Sequence, residues 1–171
     1  EAANRVTAEL NRLSGSAADD ARFDAEPLAL YYRQKLETFD SDHGGFGIAP
    51  KFPSPMDLLL LLRLSARPGF EHARMMVELT LRKMADGGIN DQLGGGFHRY
   101  STDTVWLVPH FEKMLYDNAL LAQVYAEAAV RWDNDSYRAV ADSTLDWLER
   151  ELWLPAGAFG SALSAEDPQG E

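Results

Sequence analysis

Between Gly94 and Asn118 the chain reads GGGFHRYSTDTVWLVPHFEKMLYDN. Two of its four histidines, His98 and His110, fall in this stretch. Imidazole exchanges protons near neutral pH, which suits general acid–base chemistry. Arg99 is placed to steady a developing negative charge. Glu112 here and Asp91 just upstream supply carboxylates. Bond hydrolysis of the glycosidic kind needs two of these flanking the bond, about 5 to 10 Å apart. Trp106 and Tyr100 are candidates to contact a ligand, the tryptophan by stacking on a sugar ring. Lys51, in the earlier stretch APKFPSP, joins the set if the two loops share a face. The candidate catalytic residues are thus His98, His110, Glu112 and Asp91, and the candidate binding residues Lys51, Arg99, Tyr100 and Trp106.

Each has a plainer account. Two histidines can simply hydrogen-bond at a helix entrance. Glu112 suits the first turn of a helix, where the dipole favours a carboxylate. Trp106 can cover the hairpin. Asp117 and Asn118 read best as polar clamps, Asp117 with Lys113 four residues back and Asn118 with a neighbouring loop. No metal site is expected, because His98 and His110 lack close ligand spacing and His110-Phe111-Glu112 is too short for adjacent helical ligands. No cofactor is called for.

The elements that must position these residues are helical. Apolar spacing of three and four recurs, and strand alternation is rare. It predicts helices over about 2–14, 27–39, 55–65, 71–85, 112–132 and 135–152. Ser54 and Pro55 open the third, and Asp135 caps the sixth. The third and fifth are apolar on most of their circumference, as buried helices are. A short hairpin is expected near Phe97–Tyr100 with STDT at its turn, placing Phe97 and Arg99 on one face. Three connectors carry a glycine before a phenylalanine: Phe46, Phe97 and Phe159. Each follows the second helix of a pair, which suggests a repeated helical hairpin whose loops gather on one face. The glycines turn the backbone and the phenylalanines plug the core beneath.

Bulk properties exclude several classes. The formal net charge of −11 opposes nucleic-acid backbones and anionic membranes. The absence of cysteine rules out disulfides and thiolate chemistry in this chain and fits a cytoplasmic setting. No run approaches the roughly 20 apolar residues of a membrane span. Both ends look cut from something longer.

The segments GGFGIAPKFPSP, GGINDQLGGGFHRYSTDTVWLVPHFEKMLYDNALLAQVY and GAFGSALSAED resemble the helical part of the thioredoxin-domain proteins related to spermatogenesis-associated protein 20. The resemblance implies an all-α fold: a partial (α/α)6 toroid of about three helical hairpins, with a short β-hairpin in the 94–109 loop. It treats residues 1–171 as one helical domain, with an N-terminal thioredoxin-like domain and further hairpins elsewhere in such proteins. Similar toroids occur in N-acylglucosamine 2-epimerases and six-hairpin glycosidases. A sugar or other small-molecule ligand is therefore one expectation, and a non-catalytic scaffold for the thioredoxin-like domain is the other. The isolated segment is expected to be inactive and prone to self-association. SALSAED departs from the acidic run usual in the family, which weakens a ligand role for Glu166 and Asp167.

Overall fold

The structure is a computed structural model, and it describes residues 4, 5, 7 and 26–166. The expected first helix, 2–14, lies outside the described residues apart from positions 4, 5 and 7, which are helical. The chain divides into a small unit, residues 1–31, and a large one, residues 32–171. Helix α1 (Glu26–Thr38) begins in the first. The second holds α2 (Pro55–Leu64), α3 (Ala73–Asp86), α4 (Leu115–Trp132) and α5 (Asp135–Trp147), which runs into a π-helical turn at Leu148–Leu152. Among the described residues, no helix is long and apolar enough to cross a membrane.

Helices α2 and α4 form the buried layer: Leu58, Leu61 and Leu62 on one, and Leu121, Val124 and Tyr125 on the other, are almost fully enclosed. Helix α4 packs on α5, and α2 on α3 and α4. Tyr125 ties three parts together. Its ring stacks on Phe97 at 5.5 Å, and its hydroxyl donates to the Leu81 carbonyl at 2.7 Å.

Three local expectations are corrected. Ser54 does not cap α2 through its side chain; it sits in the left-handed region at φ 49°, and Pro55 sets the start. Helix α5 is capped by Asn134, whose side chain accepts from the Tyr137 amide, rather than by Asp135. Helix α4 begins at Leu115, so Glu112 lies outside its first turn. The intervening Lys113–Met114 is instead strand β3, paired antiparallel with a later strand.

The strands are short clasps between loops. Strand β1 (Tyr100–Ser101) pairs with β2 (Pro109–His110), giving the expected hairpin a little later than Phe97. Burial does not alternate as a strand over 97–100 would require: Phe97 and His98 are both buried, while Arg99 is half-exposed. Strand β3 pairs with β6 (Ala162–Leu163), and β4 (Trp153–Leu154) with β5 (Ala158–Phe159).

These pairings reveal the repeat. Phe39 bridges Phe46, Asn90 bridges Phe97, and Trp153 pairs with Phe159. The loops are then joined side by side, Lys51 to Ser101 and Lys113 to Leu163. The glycine–phenylalanine loops therefore lie along one edge of the helical layers. The phenylalanine plug is complete only at Phe97; Phe46 is half-buried and Phe159 is 41% exposed.

Candidate functional site

The loop edge is built around two ion pairs of one design. In the first loop the Asp40 amide donates to the Gly45 carbonyl, and Gly44 donates back to the Asp40 carbonyl. Asp91, Gly96 and Gly95 repeat both bonds in the second loop. One carboxylate oxygen of each aspartate accepts from two amides of its own turn: Asp42 and His43 for Asp40, Leu93 and Gly94 for Asp91. The other oxygen receives a buried ammonium, Lys51 at 2.6 Å and Lys113 at 2.7 Å. Each lysine also donates to a backbone carbonyl, Thr104 or Gly95, and lies about 5 Å from a tryptophan ring, Trp106 or Trp147. Burial by itself would raise both carboxyls, but the ammonium and the turn amides outweigh it and bring Asp40 and Asp91 down to about 2.

The glycines are required here. Gly45 and Gly96 have φ of 78° and 75°, and an added Cβ would come within 2.5 Å of Trp106 and 2.7 Å of Trp147. The tryptophans thus roof the turns.

This geometry places several candidates in the framework. Lys51 and Trp106 are fully enclosed, the tryptophan donating from Nε1 to the His43 carbonyl, so neither presents a face to a ligand. Asp91 belongs to the Lys113 clamp, and a carboxyl held near 2 is not a proton donor at neutral pH. Lys113 is consequently not the partner of Asp117, contrary to the helical-spacing expectation. Asn118 does clamp a loop: its side chain accepts from the Phe97 amide at 2.6 Å and donates to the Phe97 carbonyl at 3.0 Å. Both backbone groups of a buried residue are thereby satisfied. Glu166 is exposed, and Asp167 lies outside the described residues.

Among the remaining candidates, Arg99 pairs with Glu112 and Tyr100 with His110. The Arg99 amide donates to the Glu112 carbonyl, and its guanidinium donates to the Glu112 carboxylate at 2.7 Å. His98 is 8% exposed, its Nδ1 lies 3.1 Å from the Phe111 carbonyl, and burial lowers its pKa, partly offset by that contact. A carbonyl only accepts, so Nδ1 of the neutral ring carries the proton and Nε2 has the free lone pair. His110 stacks on Tyr100 at 4.8 Å, and Tyr100 in turn meets Phe52 at 5.0 Å. Two buried polar atoms of the cluster, Arg99 Nε and His110 Nδ1, have no partner.

Asp117 is the member that spacing did not select. It sits in the first turn of α4, 8% exposed, and burial pushes its carboxyl up to about 6 even though Arg99 and the Tyr116 hydroxyl pull it down. Glu112 and Asp117 therefore form a carboxyl pair in contrasting environments, one ion-paired and one desolvated. Among the described residues no group of three His, Asp or Glu side chains is arranged to hold a metal.

Paired helices with their connecting loops gathered at one edge define the class: this is part of an α/α toroid of the kind found in sugar epimerases and glycosidases. The cellobiose 2-epimerase of Spirochaeta thermophila superimposes with a TM-score of 0.67 at 20% identity, over 82% of this chain and 39% of that one. A D-mannose isomerase gives 0.65 at 14% identity, over 87% and 41%. The chain is homologous to one segment of spermatogenesis-associated protein 20: it is 41% identical to the mouse protein over 98% of its own length. It spans 22% of that relative. No protein-family model matches the chain.

Proposed function

We propose that, in the full-length protein, the edge formed by His98, Arg99, Tyr100, His110 and Glu112 binds a sugar and supports proton transfer beside its carbonyl. The observation carrying this reading is the His98 ring: neutral, its Nδ1 anchored on the Phe111 carbonyl, one residue from the Arg99–Glu112 pair. Such a ring accepts a proton at Nε2 without first losing one. Arg99 would steady the enolate oxygen that proton removal creates. The sugars for which the structural neighbours are named, cellobiose and mannose, are the ligands to try first. A glycosidase-like variant would use Glu112 and Asp117 as its two carboxyls.

A second reading has its own observation. The twinned Asp–Lys clamps and the Asn118 clamp commit most of the polar groups to holding loops together. That suits a scaffold for a thioredoxin-like domain.

One experiment separates the two. Titrate the full-length protein and its His98→Gln and His110→Ala variants with cellobiose and mannose, and record melting temperatures alongside. Loss of binding and turnover with the melting temperature kept supports the sugar site. A lowered melting temperature, with no sugar response in any form, supports the scaffold.

A further inference from the structure

The charge arrangement of this edge narrows its ligand, and we infer that the site takes an uncharged sugar and rejects phosphorylated and uronic ones; the inference rests on the sugar-binding reading. The two loops over 39–54 and 87–114 contain three lysines and arginines: Lys51, Arg99 and Lys113. Each is engaged. Lys51 and Lys113 are buried against Asp40 and Asp91, and Arg99 is paired with Glu112. His98 adds no positive charge, because burial keeps its ring neutral.

The same loops carry two more carboxylates with no cation against them among the described residues, Asp42 and Asp103. Asp103 is held charged by the amides of Val105, Leu107 and Val108. Helix α4 starts beside the cluster, but its first turn carries Asp117, which cancels the attraction a helix N-terminus has for anions. A phosphate or carboxylate ligand needs a free arginine, lysine or unopposed amide cluster. Arg150, which reaches the second loop at the Gly94 carbonyl, is itself paired with Glu151, so such a ligand would meet an excess of negative charge instead.

The unused hydrogen-bonding capacity has a different character. Arg99 Nε is a buried donor without an acceptor, and His110 Nδ1 is a buried ring nitrogen without a partner. A hydroxyl group both donates and accepts, so one or two sugar hydroxyls would satisfy these atoms without importing charge once ligand entry shifts the side chains that cover them. The Phe52–Tyr100–His110 rings supply an apolar surface beside them.

The test uses the full-length protein at low ionic strength, titrated with glucose, mannose, cellobiose, glucose 6-phosphate, mannose 6-phosphate and glucuronate. The expected result is that a neutral sugar binds at least tenfold more tightly than its phosphorylated or uronic counterpart, with little dependence on salt. Equal or tighter binding of an anionic sugar, weakening as salt is added, overturns the inference and leaves the sugar-binding reading intact. Binding of none of the six overturns both. Glu112→Gln adds a second measurement by releasing Arg99. Glucuronate affinity relative to glucose should rise at least threefold in this variant, and an unchanged ratio counts against the proposed charge balance.

Discussion

Lys113 stands to Asp91 as Lys51 stands to Asp40, although 22 residues separate the later pair and 11 the earlier. The β1–β2 hairpin, inserted between Phe97 and Lys113, accounts for the extra chain. The two clamps preserve the same turn bonds, ammonium and tryptophan roof, so the dense central segment is first a repeated folding device, and the proposed site is built on it.

The clamps make a stability prediction. Lys113→Met leaves the Asp91 carboxylate beside a buried apolar group and should cost about 1–3 kcal/mol, less than a fully buried pair because Asp91 keeps some contact with water. The double variant Asp91→Asn with Lys113→Met should recover part of that loss. Urea denaturation of the single and double variants checks it; equal losses in both would mean that the charge pair is not what matters.

The same carboxyls set the acid limit. Asp40 and Asp91 are held at about 2, below the usual 3.8, so they favour the folded state above about pH 4. Their contribution, on the order of 1–2 kcal/mol each after allowing for partial exposure, disappears as pH falls toward 2. Melting temperature followed from pH 5 to 2 should drop less steeply in the double variant than in the parent.

Asp117 behaves in the opposite sense. Its carboxyl is raised to about 6 from 3.8, so the folded state binds this proton more tightly than the unfolded state. Its favourable contribution is complete below about pH 4 and is lost as pH rises through 6. Asp117→Asn should therefore stabilise the protein at pH 8, by about 1–3 kcal/mol, and change little at pH 4. Thermal melts at the two pH values decide this; stabilisation of the same size at both would show that charge burial is not the cause.

Two glycines with the same backbone but different surroundings separate strain from crowding. Gly47 and Gly96 both have φ of 75°, yet an added Cβ at Gly47 meets nothing within 4 Å while at Gly96 it runs into Trp147. Gly47→Ala should cost about 1–2 kcal/mol, the left-handed penalty for a side chain. Gly96→Ala should cost about 2–3 kcal/mol more, since the roofing ring must move. Chemical denaturation compares them directly.

The third loop predicts association. Trp153, Leu154, Phe159 and Leu163 are each more than 40% exposed on the β4–β5 and β6 strands. An apolar cluster of this kind on a 171-residue chain should pair with a second copy as concentration rises. Light scattering is expected to show a concentration-dependent dimer that Trp153→Ser with Phe159→Ser returns to monomer. A monomer at all concentrations would refute it.

The helices were legible because their signal is local. Leucines at three- and four-residue intervals over Pro55–Leu64, and the apolar run of Leu115–Trp132, suffice to place α2 and α4 within a turn. The start of α4 slipped by three residues because Lys113 and Met114 are claimed by a strand far along the chain. The Gly-Phe repeat was readable too. What the spacing concealed was its full form, Asp-x-x-x-Gly-Gly-Phe at both Asp40 and Asp91, with the lysine displaced in the second copy by the hairpin.

By itself the amino-acid order determined where helices form, to within about a turn, and which glycine-rich connectors bend the backbone, since neighbours along the chain govern both. Which charges meet was settled only by tertiary packing. Lys51 and Trp106 look like ligand contacts in a loop, yet folding encloses them; Asp117 looks like one more helical polar residue, yet folding desolvates it. Burial depends on what arrives from distant parts of the chain, and burial decides whether a polar group is framework or is left available for chemistry.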